Sequence, residues 1–127
     1  MNIATCISLV LGLAAHAALP VRVVPSDSSQ WDKDFLRMVE PAPTCPGGSV
    51  DSLRKRMAVS GPYISRAAFE AANRRALPPL GGVAPGDRYY SFSFRSELAS
   101  GGFWGFGGYL VTRGTCIVHA EVTSRDN

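Results

Sequence analysis

The chain has 127 residues, 46% of them hydrophobic and 18% charged, with a formal net charge of +3. That size suits one compact domain built on one core, leaves no room for several, and needs no structural metal. The small positive excess permits an acidic partner without demanding one.

Ile3 to Leu19 is an apolar run that ends in the small-residue triplet Ala15-His16-Ala17. Ile7 to Ala15 has the length of an apolar h-region and the triplet has the form of a leader cleavage site, although Met1 to Thr5 carries no Lys or Arg. Residues 1–17 are therefore expected to be a cleaved signal peptide, and 18–127 a single small domain that is periplasmic or secreted. The run is short of the roughly 20 apolar residues of a membrane span. Cys6 precedes the Ile7 to Ala15 h-region, whereas a lipid-anchored cysteine follows it.

Cleavage removes Cys6 and leaves Cys45 and Cys116 in an oxidising compartment, where one disulfide is the expected outcome. It closes a loop of roughly 70 residues. Neither cysteine belongs to a C-x-x-C pair and the two histidines are not spaced as partners, so no metal is expected.

Leu19 to Val24 lies between prolines and reads as a short edge strand or a tail, because Pro20 and Pro25 cannot donate to a ladder. Ser29 with Asp32 resembles a capping box, and Trp31, Phe35 and Met38 or Val39 recur at helical spacing, which predicts a helix over about 30–39. Glu40 to Gly48 is a Pro/Gly-constrained loop holding Cys45. Ser49 caps a second helix with Val50, Leu53 and Met57 on one face, stopped at Gly61-Pro62. Ser65 caps a third, with Ala68, Phe69 and Ala72 inward and Pro78-Pro79 as its stop. Residues 78–88 are a linker.

From Arg88 the period changes to two, with Tyr90, Phe92 and Phe94 alternating with Ser91, Ser93 and Arg95. Phe103 to Thr112 is a second strand, and Arg113-Gly114 forms a two-residue turn into a third, Thr115 to Thr123. The expected fold is α+β: three short N-terminal helices packed on one face of a C-terminal three- to four-stranded antiparallel meander, with one disulfide. The N-terminal strand is the optional fourth.

With Arg113 and Gly114 as central turn residues, one sheet face holds Val111, Cys116, Tyr109, Val118, Gly107, Ala120, Gly105 and Val122. Because Cys116 must reach the Cys45 loop, this face is assigned to the helices. The other face sets Leu110 beside Ile117, Gly108 beside His119, Phe106 beside Glu121 and Trp104 beside Thr123. Trp104, Phe106, His119 and Glu121 are thus the candidate binding surface, since aromatic side chains dominate interface hot spots. The competing reading buries this face as well, and a one-residue bulge at the turn exchanges the two.

No residue pattern identifies a chemical activity. His119 and Glu121 stand about 7 Å apart on one strand, with too few further ligands for zinc. Ser91 or Ser93 would have to approach His119 to make a hydrolase, and no G-x-S-x-G elbow exists. The glycines from Gly101 to Gly108 lack the lysine and helix of a phosphate loop, so no cofactor is expected. Arg54, Lys55, Arg56, Arg66, Arg74 and Arg75 form a basic patch only if the second and third helices lie side by side; otherwise they are a solvated face.

The leading expectation is an exported, non-enzymatic protein of the envelope or periplasm that engages a protein or peptide partner through the aromatic face. Alternatives are an electrostatic binder of acidic polymers or a membrane surface through the basic patch, and a small hydrolase based on His119. Nucleic acid is not an expected partner of an exported chain.

Overall fold

The computed structural model describes residues 22–126. The predicted leader and most of the predicted N-terminal strand lie outside the described residues, and Arg22 to Pro25 form no strand.

A 3₁₀ turn, Ser28–Gln30, precedes helix α1, Lys33–Met38. The cap of α1 is Asp32 rather than Ser29: its carboxylate accepts from the backbone N–H of Asp34 (2.9 Å) and Phe35 (3.4 Å). Ser49 caps α2, Val50–Leu53, by accepting from the Ser52 N–H at 3.1 Å. That helix stops after about one turn, because Ala58–Tyr63 is drawn into the sheet as strand β1. Ser65 caps α3, Arg66–Asn73, in the expected way, accepting from the Ala68 N–H at 3.1 Å.

Strands β2 (Arg88–Leu98), β3 (Gly102–Arg113) and β4 (Cys116–Asp126) complete a four-stranded antiparallel sheet in the order β1-β2-β3-β4. The fold is a mixed α+β arrangement with three helices and one disulfide, Cys45–Cys116. The fourth strand is Ala58–Tyr63, between α2 and α3, and not an N-terminal one.

The helices cover both faces of the sheet, which corrects the one-sided expectation. Successive strand residues point to opposite faces. Tyr90 packs with Trp31 and Phe35 from the α1 region and Val50 and Leu53 of α2, together with Phe92, Phe106, Leu110 and Ile117. Its neighbour Tyr89 packs with Phe69 of α3, Leu77, Tyr109, Val111 and Val118 on the other side. The physical reason lies in β3, where Tyr109, Leu110, Val111 and Thr112 are each no more than 1% exposed. A strand apolar on both faces requires cover on both.

The β3–β4 turn is centred on Gly114 and Thr115, since Arg113 pairs with Cys116, a slip of two residues that preserves the side-chain faces. The faces are exchanged further along. Thr112 pairs with Ile117 but Val111 pairs with His119, so Val118 is an extra residue in β4, and a second bulge follows between Gly108 and Gly107. The first bulge turns His119 and Glu121 toward the α3 side, opposite Val111 and Tyr109, and turns Ala120 and Val122 toward α1.

The disulfide approaches along the border of the sheet rather than from above a face. Ile117 donates its N–H to Gly48 (2.9 Å) and Val50 donates to Thr115 (3.2 Å), so Gly48 to Val50 lies against β4 as a short extra rung. Reaching Cys45 therefore says nothing about which face the helices occupy. At the other side of the hairpin, buried Asp87 pairs with Arg113 (2.8 Å) and accepts from the Ala84 N–H (2.7 Å). Burial alone would raise the Asp87 pKa, but these hydrogen bonds and the Arg113 charge hold it below the ordinary 3.8.

Candidate functional site

The four residues expected to form one binding surface are divided between the two faces. Phe106 is 2% exposed and lies with Leu110 and Ile117 beneath the α1 side of the sheet, in edge or tilted contact with Phe92, Phe94 and Trp104. Trp104 is half-buried against the same cluster, its ring 5.4 Å from Phe94. The aromatic face is core because α1 closes over it, with Phe35 and Phe92 ring centroids 4.9 Å apart. His119 and Glu121 are carried to the opposite face by the bulge at Val118.

The basic patch is divided in the same way. Arg54 lies over the Tyr90 ring and donates to the Gly61 carbonyl, Arg56 pairs with Glu40 at 2.9 Å, and exposed Lys55 sits between them after α2. Arg74 ends α3 in the left-handed conformation at φ 50°, and Arg75 donates to the Thr123 hydroxyl at 2.7 Å on the other side of the sheet. The second and third helices are not side by side, so these charges form no single surface.

The bulge instead opens a groove beside the edge of β4, about 420 Å³ in volume. Ser26, Asp27, Gln30 and Trp31 form one wall, and His119, Ala120 and Glu121 the other. A second hollow of about 320 Å³ continues along the same strand, between Asp32 and Val122 to Arg125. Arg125 reaches from β4 to Asp32 and Asp34 and ties α1 to the strand on the Phe106 side.

Both borders of this groove are defined by backbone chemistry. As the last strand of the sheet, β4 has one side without a strand partner. Gly48, Val50 and Ser26 occupy that side as far as Val118, whose carbonyl accepts from the Ser26 N–H at 2.6 Å. Beyond Val118 no backbone bond meets the outer side of β4 among the described residues.

The hydrogen bonding argues against a nucleophilic serine. Ser91 and Ser93 lie on β2, two strands from His119, and the register sets them across from Glu121 and Ser124 rather than from His119, so each is more than about 10 Å away. Ser26, which the sequence did not single out, is the serine that meets His119, at 3.3 Å from Nδ1. A hydroxyl has one proton, and Ser26 donates it to the Val118 carbonyl at 2.8 Å. The His119 ring N–H is then the donor in the Ser26 contact, and Nε2 keeps a bare lone pair. Burial lowers the His119 pKa, the nearby Glu121 charge acts the other way, and the net shift is downward, toward the neutral ring.

Tyr109 donates to Glu121 at 2.5 Å, and burial first, then this carboxylate, raises its pKa. Two ring nitrogens, Trp31 Nε1 and His119 Nε2, are buried without a hydrogen-bond partner. One is a donor and the other an acceptor.

The depressed His119 pKa has a consequence for stability. Below pH 6.5 the unfolded chain takes up a proton that the folded ring resists, so stability falls as pH drops from 6.5 toward the lower folded value and is fully present above it. Thermal melts across that window should show this slope in the parent and a shallower one in His119→Gln. Equal slopes would remove the assignment.

Among the described residues no helix is long and apolar enough to cross a membrane, and no group of three or more His, Cys, Asp or Glu side chains is placed to hold a metal ion. Comparison of the chain with protein-family models, with curated proteins and with solved structures found no match.

Proposed function

We propose that this protein is an exported, non-enzymatic binding protein that receives an extended peptide segment of a partner along the outer edge of β4. The observation that carries this reading is the unpaired side of that strand from His119 onward, running beside two adjoining hollows. Strand addition uses main-chain hydrogen bonds for affinity and neighbouring pockets for selectivity. An oxidising compartment agrees with the Cys45–Cys116 bridge and with the leader pattern of residues 1–17.

The test uses acetylated, amidated peptides in which alternating Thr and Val flank a varied central residue, titrated against the intrinsic tryptophan fluorescence. Binding should slow amide exchange from Ala120 to Ser124. The reading is lost if no peptide binds tighter than millimolar, or if bound peptide leaves exchange along β4 unchanged.

A further inference from the structure

We infer that residues 22–31 form a pH-sensitive strap: when His119 takes up a proton, Ser26 releases the edge of β4 and the unpaired stretch of that strand lengthens to Val118. The strap controls how much of the edge is open, whatever segment lies along it.

The chain here passes around the rim of the sheet. Val23 packs against the cluster of Phe69, Tyr89 and Tyr109 on the α3 side, while Trp31 is buried with Phe35 and Phe92 on the α1 side. Between these two anchors the chain crosses the edge of β4 at Ser26. Its N–H and its hydroxyl both donate to the Val118 carbonyl, at 2.6 and 2.8 Å, and the hydroxyl oxygen lies 3.3 Å from His119 Nδ1. Among the described residues this is the strap's only backbone bond to β4. Val24 and Asp27 on either side are exposed, so little apolar burial holds the crossing itself.

His119 is the group that can break this tie. In the neutral ring Nδ1 carries the proton of the Ser26 contact, and Nε2 is buried with no hydrogen-bond partner. A second proton would place a charged N–H where no acceptor meets it, which is costly until the ring turns outward. The ring's neighbours are Tyr109, with centroids 5.8 Å apart, and Ser26. Tyr109 is 1% exposed and packed against Phe69, so the movement is taken up at Ser26 on the rim.

The surrounding charges do not supply the missing acceptor. On the same strand the Glu121 charge favours the protonated ring, but its carboxylate accepts from Tyr109 of β3 at 2.5 Å. Asp27 of the strap bonds the Ser29 hydroxyl. Arg75 after α3, bonded to the Thr123 hydroxyl, and Arg66 of α3, paired with Glu70, bring positive charge to the Tyr109 side and oppose another. Burial outweighs Glu121, and the buried ring holds its proton less well than the ordinary value of 6.5. A ring turned into water returns toward that value, so proton uptake and strap opening are linked: the strap is closed above pH 6.5 and opens as the pH falls below it.

The experiment follows amide exchange by NMR in the unaltered protein between about pH 7.5 and 4.5, a window that brackets histidine titration, with rates corrected for intrinsic pH dependence. Protection of the Ser26 amide should fall several-fold toward acid along the same curve as the His119 ring signal, while Leu110, 0% exposed, keeps its protection. His119→Gln cannot take up the proton and should hold Ser26 protection constant. Ser26→Ala keeps the backbone bond but loses the hydroxyl contact, and by reciprocity should move the His119 titration up toward 6.5.

Ser26 protection that stays flat across the window overturns the inference. A parallel loss at Leu110 does the same, because it means acid unfolding of the whole domain. No peptide is present, so neither outcome touches the peptide-binding reading.

Discussion

Phe106→Ala is expected to destabilise the domain by about 3–5 kcal/mol, the range for removing a fully buried aromatic ring. Phe106 is 2% exposed and has aromatic neighbours at 6.3 Å (Phe92), 5.5 Å (Phe94) and 5.8 Å (Trp104). Neither flank offers an easy collapse into the void. Gly108 has Phe92 close above it, and the backbone at Gly105 already lies tight against Phe94. The control is Phe103→Ala, because Phe103 is 46% exposed and its main neighbour is the Arg95 guanidinium at 4.0 Å. That change should stay within about 1 kcal/mol. Urea unfolding of both variants tests the assignment of the aromatic face to the core. A Phe106 cost as small as that of Phe103 would return the ring to the surface.

Replacing both bridging cysteines, Cys45→Ser with Cys116→Ser, should lower stability by about 4 kcal/mol in the chain-entropy account, where strain is neglected. The bridge spans 71 residues of sequence. Most of the effect is expected in the unfolded ensemble, because the contacts around the bridge survive its loss. Ile117 to Gly48 and Val50 to Thr115 are backbone bonds that need no sulfur, and Ala42 and Cys45 exchange a reciprocal pair of backbone bonds at 3.0 Å. Such a loss is a large share of the roughly 5–15 kcal/mol typical of a domain. Denaturation of the parent with and without reductant supplies the internal check: reduced parent and double variant should unfold at the same denaturant concentration. An unchanged midpoint on reduction would show that the tie contributes nothing.

Some of this architecture was legible in the residues. The two-residue period from Tyr90 to Phe94 marked β2, Ser49 and Ser65 marked two helix starts, and the two cysteines outside the expected leader marked the bridge. Strand β1 was hidden because Val50, Leu53 and Met57 satisfy helical spacing. In the structure Met57 reaches the core from the turn after α2, and Val59 follows it from an edge strand.

The cover on both faces had a signal that the alternation analysis passed over. Tyr109-Leu110-Val111 is an unbroken apolar run, the mark of a strand with no wet side. The extra residue at Val118 had none, since nothing in the side chains of Ile117, Val118 and His119 distinguishes a bulge from a regular strand. That single insertion separated His119 and Glu121 from Trp104 and Phe106. The groove was equally illegible, because Ser26 and His119 are 93 positions apart and only the folded chain brings them together.

The two borders of the sheet are unequal. On β1, Pro62 has no amide hydrogen to offer and the register breaks between Ser60 and Tyr63, while on β4 the first rungs are already taken by Ser26 and the Gly48 to Val50 rung. Neither margin can serve as a full-length template for an identical neighbour. Stacking of copies into a growing fibril is blocked at both rims, yet one short strip stays open to a visitor.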